Sequence, residues 1–280
     1  MSETVRALLS AATVVLGGPE ARRDAEILAG HALSRPRAWL YAHDDDAVGE
    51  EEAANLRALV LRRAAGEPLA YIVRRREFFE LDLEVTPEVL IPRAETELLV
   101  EQALLRIRAD AAAVVADLGT GSGAIALAIA KQRPGARVVA TDASSAALAV
   151  ARRNADRLDI DNVEFGHGDW CAALPAERFD VLVSNPPYIA VDDAHLTQGD
   201  LRFEPARALV SGRDGLDAIR AIVAAAPMHL RSGGWLLLEH GHDQAPAVRQ
   251  VLQQNGLVDT FTERDLEGRD RVSGGRTPTQ

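Results

Sequence analysis

The sequence contains a single cysteine, Cys171, among its 280 residues. One cysteine cannot form an intramolecular disulfide, and it excludes the metal sites that are built from several cysteines. This scarcity fits a cytoplasmic protein, which is the location we expect. Cys171 itself is interpreted as a small packing residue, against the alternative of a reactive nucleophile.

Long hydrophobic runs are also missing from the chain. No apolar stretch approaches the roughly 18–20 residues that a membrane-spanning helix needs, so no membrane association is predicted. The N-terminal region has apolar clusters, but Glu3 stands where a signal peptide carries basic residues. Val5, Leu8 and Ala12 recur at helical spacing, which indicates an amphipathic first helix.

Positive charge is in short supply, with 42 acidic residues against 31 basic ones and a net charge of −11. Attraction to a phosphate backbone comes from lysine and arginine, so no direct nucleic-acid partner is expected. The arginine run 74–76 is interpreted as a solvated strand edge, with docking of an acidic partner as the alternative.

Hydrophobic periodicity divides the chain into three parts. Residues 1–68 have apolar positions at three- and four-residue spacing and predict a small helical bundle without a catalytic constellation. Residues 69–92 contain two strand-like runs, 70–73 and 81–85, and predict a β-hairpin linker. Residues 93–280 form the third part, which is the predicted catalytic domain.

The third part alternates between strands and helices after a first predicted helix at 96–107. Apolar strands that alternate with amphipathic helices predict a parallel sheet covered on both faces, which is an α/β fold. Strands are predicted at 113–118, 137–142, 162–166, 179–184 and 234–239, and helices at 124–132, 145–158, 217–230 and 245–255.

A glycine-rich turn follows the first of these strands and opens a helix; its residues are Gly119, Thr120, Gly121, Ser122 and Gly123. Glycines let a ligand approach the backbone closely, and the helix N-terminus offers unpaired N–H groups. By itself this motif does not identify a cofactor. The second strand ends in Asp142, a carboxylate placed to accept hydrogen bonds from ribose hydroxyls. The alternative is that Asp142 only caps the following helix.

The other residues that follow the predicted strands favour a methyl-donor cofactor over a dinucleotide cofactor. The glycine spacing departs from the dinucleotide fingerprint, and Asp117 just before the glycines suits an ammonium group rather than a phosphate. After the third strand, Asp169 is suited to accept from an adenine amino group and Trp170 to cover the ring. The sequence thus offers side chains suited to bind an amino acid, a ribose and an adenine. These three parts make up S-adenosylmethionine, which is the cofactor we predict.

The fourth strand ends in the turn Asn185, Pro186, Pro187 and Tyr188. The Asn185 side-chain oxygen and a carbonyl of the proline-stiffened backbone can both accept hydrogen bonds from a planar NH2 group. The alternative is an ordinary proline-rich turn. Residues 239–243 include a glutamate, two histidines and an aspartate, but no metal site is predicted there because alternate residues after a strand point apart.

In these motifs the sequence resembles the class I methyltransferases, and more narrowly the release-factor glutamine methyltransferases, the PrmC (HemK) family. The resemblance covers essentially the whole chain. Its marks are the segment 90–97, the glycine turn, the pair Asp169–Trp170, the turn 185–189, and the segments 198–205, 237–241, 264–265 and 271–272. One departure is Ala94, where many members have proline.

The resemblance implies a Rossmann-like, seven-stranded catalytic domain, a β-hairpin linker and a five-helix N-terminal domain that binds release factors. It implies transfer of a methyl group from S-adenosyl-L-methionine, with S-adenosyl-L-homocysteine as product, to the glutamine amide nitrogen in the Gly-Gly-Gln loop of peptide chain release factors. Residues 119–123, Asp142, Trp170 and Asn185 would contact the cofactor, and residues 185–188 the glutamine, with catalysis by Asn185, Pro186 and Tyr188.

Two related activities remain as alternatives. Adenine-N6 methyltransferases of nucleic acids use the same turn, because an adenine amino group is also a conjugated, planar NH2; the acidic balance disfavours them. A glutamine methyltransferase that acts on a ribosomal protein shares the turn as well. A monomer is expected, since the sequence carries no assembly signal.

Overall fold

The computed structural model describes residues 3–108 and 112–279, and the chain divides into two compact units. The smaller unit comprises the described chain up to Arg75 together with Thr197–Phe203. The larger unit comprises Arg76–Leu196 and the chain from Glu204 onward. Within the described ranges, no helix is long and apolar enough to cross a membrane.

The smaller unit is a bundle of helices, as the sequence predicts. Its core is built from apolar residues such as Leu8, Leu28 and Leu56, which recur at helical spacing and are buried between the helices. The helices are α1 (Val5–Leu16), α2 (Ala21–Ala32), α3 (Arg37–Ala42), α4 (Glu50–Ala64) and α5 (Leu69–Val73).

One predicted strand is wrong, because residues 70–73 form α5 rather than the first strand of the hairpin. A short apolar run does not distinguish a buried strand from a buried helix. Here Pro68 starts the helix, its carbonyl accepting from the N–H groups of Tyr71 and Ile72, and Ile72 is buried in the helical core. Arg74 ends the helix in the left-handed conformation, with φ of 58°.

The first strand of the hairpin lies a few residues later than predicted, whereas the second agrees with the predicted run 81–85. Its strands are β1 (Arg75–Phe78) and β2 (Leu81–Glu84), so Arg75 and Arg76 lie in a strand. The connecting residues Phe79 and Glu80 both have positive φ, 48° and 61°, as a two-residue type I′ turn requires.

The larger unit is organised around a seven-stranded, mostly parallel sheet, which confirms the class I methyltransferase architecture. Its strand order is β5-β4-β3-β6-β7-β9-β8, and only β9 runs antiparallel to its neighbours β7 and β8. The strands are β3 (Val114–Leu118), β4 (Arg137–Asp142), β5 (Val163–His167), β6 (Phe179–Ser184), β7 (Leu230–Glu239), β8 (Val258–Arg264) and β9 (Asp270–Arg276).

Helices cover both faces of this sheet. Val115, Val181 and Val183 pack on one face and Ala116 and Leu182 on the other, so alternate strand residues belong to two separate cores. Burial on both faces explains why these strands read as nearly continuous apolar runs. The helices are α6 (Glu97–Arg106), α7 (Ala124–Gln132), α8 (Ser145–Leu158), α9 (Asp217–His229) and α10 (Ala245–Gln254).

The strand order reverses between β3 and β6, which pair directly in parallel through Asp117 and Val183. Ligands of open α/β sheets bind outside the carboxyl ends of the strands at such a reversal. The glycine turn after β3 and the proline turn after β6 therefore emerge side by side at the place where a ligand is expected.

Candidate active site

The glycine turn is shaped by its glycines and by the side chain of Trp170. Gly119 has φ of 77°, and a Cβ atom on it would lie 3.0 Å from the Trp170 ring. Gly123, with φ of 86°, precedes α7, and a Cβ atom there would lie 3.2 Å from Ala151. Larger residues at these two positions would be strained in the backbone and would displace the indole or α8.

Two carboxylates hold the glycine turn in place. Asp142 Oδ2 accepts from the Gly121 N–H at 2.9 Å, while Oδ1 accepts from the Ser144 N–H at 2.8 Å. Asp142 is thus fixed at the end of β4 and still lines the cavity described below. The helix cap comes from Ser144, whose hydroxyl accepts from Ala147.

Asp117 has a different place from the one the sequence suggests. It does not line the cavity; it is fully buried, and its Oδ2 accepts from the Thr120 hydroxyl at 2.6 Å and the Ala126 N–H at 3.2 Å. Burial raises the pKa of Asp117 to about 7. Its Oδ1 has no hydrogen-bond partner among the described residues. Asp117 therefore stabilises the glycine turn through buried hydrogen bonds and does not face the cavity.

Asp169 and Trp170 follow β5 and also line the cavity. Trp170 has a positive φ of 43° and opens a short 3₁₀ helix, Trp170–Ala173. A positive φ is uncommon for a bulky residue and is retained where the surroundings determine it. Here it accompanies the packing of the indole against Gly119, so the ring forms one wall of the cavity.

The turn 185–188 is joined to β3 at its base. The Ser184 hydroxyl donates to the Leu118 carbonyl at 2.6 Å, beyond the last paired residues of β3 and β6. Asn185 then donates through Nδ2 to the Thr96 hydroxyl at 3.2 Å. This contact uses one of the two N–H donors of the Asn185 amide.

The other end of the turn is held by a buried acid. The Tyr188 hydroxyl donates to Glu239 Oε1 at 3.3 Å, and burial together with the nearby Glu239 raises the pKa of Tyr188. Burial likewise raises the pKa of Glu239 to about 7, against the opposing effects of Thr96, Arg271 and Tyr188. Glu239 Oε2 has no hydrogen-bond partner among the residues described.

One cavity of about 300 Å³ brings most of the predicted site residues together. Nine of the twelve line it, whereas Gly123, Pro186 and Tyr188 do not. The proposed roles of all twelve residues remain predictions. The lining residues among the predicted ones are Gly119, Thr120, Gly121, Ser122, Asp142, Asp169, Trp170, Asn185 and Pro187.

Sequence reasoning gave no site role to several other lining residues. Arg93 is ion-paired with the buried Glu204, which also accepts from the Ile91 N–H at 3.3 Å. Arg207 donates to the Glu88 carbonyl at 3.3 Å, and both residues line the cavity. Arg93 and Glu204 lie in the segments 90–97 and 198–205, which carry the family resemblance, whereas Glu88 and Arg207 lie outside them.

Metal ligands and the thiol of Cys171 are the other candidates for chemistry in this chain. The described residues contain no group of three or more histidine, cysteine, aspartate or glutamate side chains that could hold a metal ion. Cys171 is buried in a hydrophobic core, and burial raises the pKa of its thiol to about 11. A protonated, buried thiol agrees with its interpretation as a packing residue.

Comparison with known proteins identifies the family. The Methyltransferase small domain model matches residues 94–261, and the PrmC N-terminal domain model matches residues 4–73. A release factor glutamine methyltransferase of Xylella fastidiosa (strain Temecula1) is 57% identical, covering 97% of this chain and 98% of the relative. One of Bordetella pertussis is 54% identical, covering 91% and 94%.

A solved methyltransferase structure from Pyrococcus furiosus shares the fold. It is 20% identical, with a TM-score of 0.55, and the similarity covers 80% of this chain and 99% of that one. The sequence relatives span nearly the full length of the chain at well over 30% identity. The chain therefore belongs to the release factor glutamine methyltransferase family.

Proposed function

We propose that the protein transfers a methyl group from S-adenosyl-L-methionine to the side-chain amide nitrogen of the glutamine in the Gly-Gly-Gln loop of peptide chain release factors. The observation that carries this proposal is a cavity lined by both the glycine turn and Asn185. The strands that precede these two features are joined by the hydrogen bond from Ser184 to the Leu118 carbonyl. The names of the relatives supply the substrate class.

The residues present fit S-adenosylmethionine. The cavity volume lies at the lower end of the range usual for small-molecule sites. Asp142 presents a carboxylate whose orientation is fixed by two backbone N–H groups and which suits a pair of ribose hydroxyls. Trp170 offers an indole wall and Asp169 an acceptor for an adenine amino group. When bound, the cofactor supplies an electrophilic methyl group on a sulfonium.

The substrate amide would be held by Asn185 and Pro186. An amide nitrogen is a poor nucleophile because its lone pair is delocalised into the carbonyl. Asn185 Oδ1 is the acceptor that remains once Nδ2 has donated to Thr96, and the Pro186 carbonyl is the second acceptor in the proposal. Two such bonds would direct the nitrogen into the cavity, with the Tyr188 ring against the amide plane.

Catalysis on this account is mostly alignment. Holding the two reactants in line can supply roughly 7–11 kcal/mol in favourable systems. No histidine or glutamate base is required before transfer, since the methylated nitrogen carries a positive charge and loses its proton readily. Pro187, which lines the cavity, keeps the turn stiff through its fixed φ.

The helical bundle at 1–68 is assigned to binding of the release factor. Support comes from its match to the PrmC N-terminal domain and from the placement of the cavity-lining residues outside it. We retain the expectations that the protein acts as a monomer, in the cytoplasm, without a direct nucleic-acid partner.

A labelling assay tests the proposed activity. The full chain is incubated with labelled S-adenosylmethionine and, separately, with a release factor, a ribosomal protein and duplex DNA. We expect label on the release factor, at the glutamine of its Gly-Gly-Gln loop by mass spectrometry, and none on a release factor in which that glutamine is alanine. Label on DNA alone, or on the ribosomal protein alone, would contradict the proposal.

Replacing Asn185 tests the role of the turn. Asn185→Ala removes the acceptor that aligns the amide, and we expect the methylation rate to fall by roughly 100-fold. Asn255→Ala, at the end of α10 and outside the cavity, is the matched control and should leave the rate unchanged. A near-normal methylation rate for Asn185→Ala would rule out alignment by this side chain.

A further inference from the structure

The turn 185–188 can form few backbone hydrogen bonds of its own. Pro186 and Pro187 have no N–H group, so two of its four residues cannot donate backbone hydrogen bonds. Regular pairing resumes only at Ile189, whose N–H donates to the Leu209 carbonyl at 2.9 Å. The position of the turn therefore depends on contacts with other parts of the chain: its side chains donate to Thr96 and Glu239, and its carbonyl groups need donors from elsewhere.

Gln244 provides such donors at the carboxyl end of the turn. Its Nε2 donates to the Tyr188 carbonyl at 3.0 Å and to the Asp214 carbonyl at 3.2 Å. Its Oε1 accepts from the Gly241 N–H at 2.8 Å. One side-chain amide thus connects the turn after β6, the loop before α9 and the loop after β7.

The backbone around Gln244 is itself fixed. Gln244 is the residue that precedes α10, where its N–H donates to Gly241 and its carbonyl accepts from Val248, both at 3.0 Å. Gly215 lies beside the Tyr188 carbonyl with φ of 75°, and a Cβ atom there would collide with that carbonyl. Tyr188 is therefore approached closely from two sides, and Gln244 makes the hydrogen bond.

We propose that Gln244 is a positioning residue for methyl transfer, which holds the Asn185–Tyr188 turn through the Tyr188 carbonyl. It does not line the cavity, so in this proposal it acts on the reaction through the turn. This inference rests on the proposed function, because the turn is the part of the site assigned to the substrate amide.

Gln244→Glu is the informative variant, because glutamate has the same shape but loses the donors when it is ionised. At about pH 8 we expect roughly 10-fold slower methylation than in the unchanged protein, since the carboxylate faces two carbonyl oxygens. A protonated glutamate regains one O–H donor. The two carbonyl oxygens that face this glutamate disfavour its ionised form and raise its pKa above the ordinary value, so the ratio of the variant's rate to the unchanged protein's rate should rise as the pH falls from about 8 to 5.5.

Three further measurements separate positioning from general damage. Gln244→Met, apolar and similar in length, should be slow at every pH without recovery. Gln250→Glu, at an exposed position of α10, should match the unchanged protein at every pH. Cofactor affinity, measured by calorimetry, should stay within about twofold in Gln244→Glu, so that the loss lies in kcat for the release factor.

The neighbouring titratable groups are common to all the proteins compared. They are Tyr188, His242, Asp243 and Asp214. Asp214 is ion-paired with Arg220. Taking the ratio of rates at each pH removes their contributions. A ratio for Gln244→Glu that stays constant with pH, or a rate for Gln244→Met equal to that of the unchanged protein, would overturn the inference.

The inference is separable from the proposed activity. If the unchanged protein fails to label the release factor, the proposed function fails. The hydrogen bond is then still tested by stability: the thermal midpoint of Gln244→Glu relative to the unchanged protein should rise between about pH 8 and 5.5, and that of Gln250→Glu should not. A midpoint difference that is independent of pH would count against the hydrogen bond as well.

Discussion

The two ends of the Asn185 side chain differ chemically, and the site depends on which end faces the substrate. Nδ2 donates to the Thr96 hydroxyl, so the carbonyl oxygen is the end left for the substrate. In the reversed orientation the amide would present its own donors to the NH2 group of the substrate. Thr96, which also lines the cavity, favours this orientation because its own hydroxyl proton is engaged by Glu239, whose pKa the Thr96 hydrogen bond lowers.

Thr96→Val tests this selection, because valine has the same shape without the hydroxyl acceptor. We expect kcat to fall by about 2- to 12-fold, which corresponds to the net value of one hydrogen bond. Thr96→Ser keeps the hydroxyl and is the matched control; it should retain most of the activity. If serine is as slow as valine in a steady-state methylation assay, the loss comes from packing and the interpretation is wrong.

At the scale of elements, the site depends on the meeting of two strand ends. Backbone pairing between β3 and β6 ends at Asp117 and Val183, and one side chain continues it, from Ser184 to the Leu118 carbonyl. This hydrogen bond is fully buried. It holds the glycine turn and the proline turn at a fixed separation.

Ser184→Ala should therefore affect both stability and catalysis. The Leu118 carbonyl would be left buried and unpaired, which costs about 1–3 kcal/mol of unfolding free energy. Methylation should also slow, because the two turns are no longer tied together. Urea denaturation and the labelling assay measure these effects, with Ser145→Ala, at an exposed position of α8, as the control. Full stability in Ser184→Ala would show that water or a neighbouring group replaces the hydroxyl.

Much of this arrangement could be predicted from the sequence, because both faces of the sheet are buried and the strands read as apolar runs. The bounds of β4, β6, α7 and α8 agree with the predicted ranges. The outer strands β8 and β9 gave no such signal. β8 is largely polar and partly exposed, and Gly274 in β9 is needed because a Cβ atom would lie 2.7 Å from Leu237 and Phe261.

The site divides in the same way. Residues directly after strands were predictable, since the carboxyl ends of parallel strands share one edge of the sheet. Their supporting contacts were not, because each joins residues far apart in sequence: Asn185 to Thr96 over 89 positions and Gln244 to Tyr188 over 56. The local periodicity of a sequence does not indicate contacts between residues so far apart. Such contacts can be identified only from a family resemblance or from a structure.

For the molecule as a whole, two buried carboxyl groups link the site to stability. Burial raises the pKa of Asp117 and of Glu239 to about 7. Between the ordinary carboxyl range near pH 4 and about pH 7, the folded protein holds protons that the unfolded chain has lost. Stability from these two groups is therefore greatest at low pH and is lost as the pH rises through 7.

Asp117→Asn and Glu239→Gln mimic the protonated forms and remove this pH dependence. Relative to the unchanged protein, each variant should gain on the order of 2–3 kcal/mol of unfolding free energy between pH 5 and pH 8. Taking the difference removes the opposite effect of His240, whose pKa burial lowers and which favours folding as the pH rises. Urea unfolding at several pH values measures the difference. A difference that does not change with pH would show that these two carboxyl groups are already ionised in the folded protein. Asp117 Oδ1 and Glu239 Oε2 would then each be paired with a group that stabilises the negative charge.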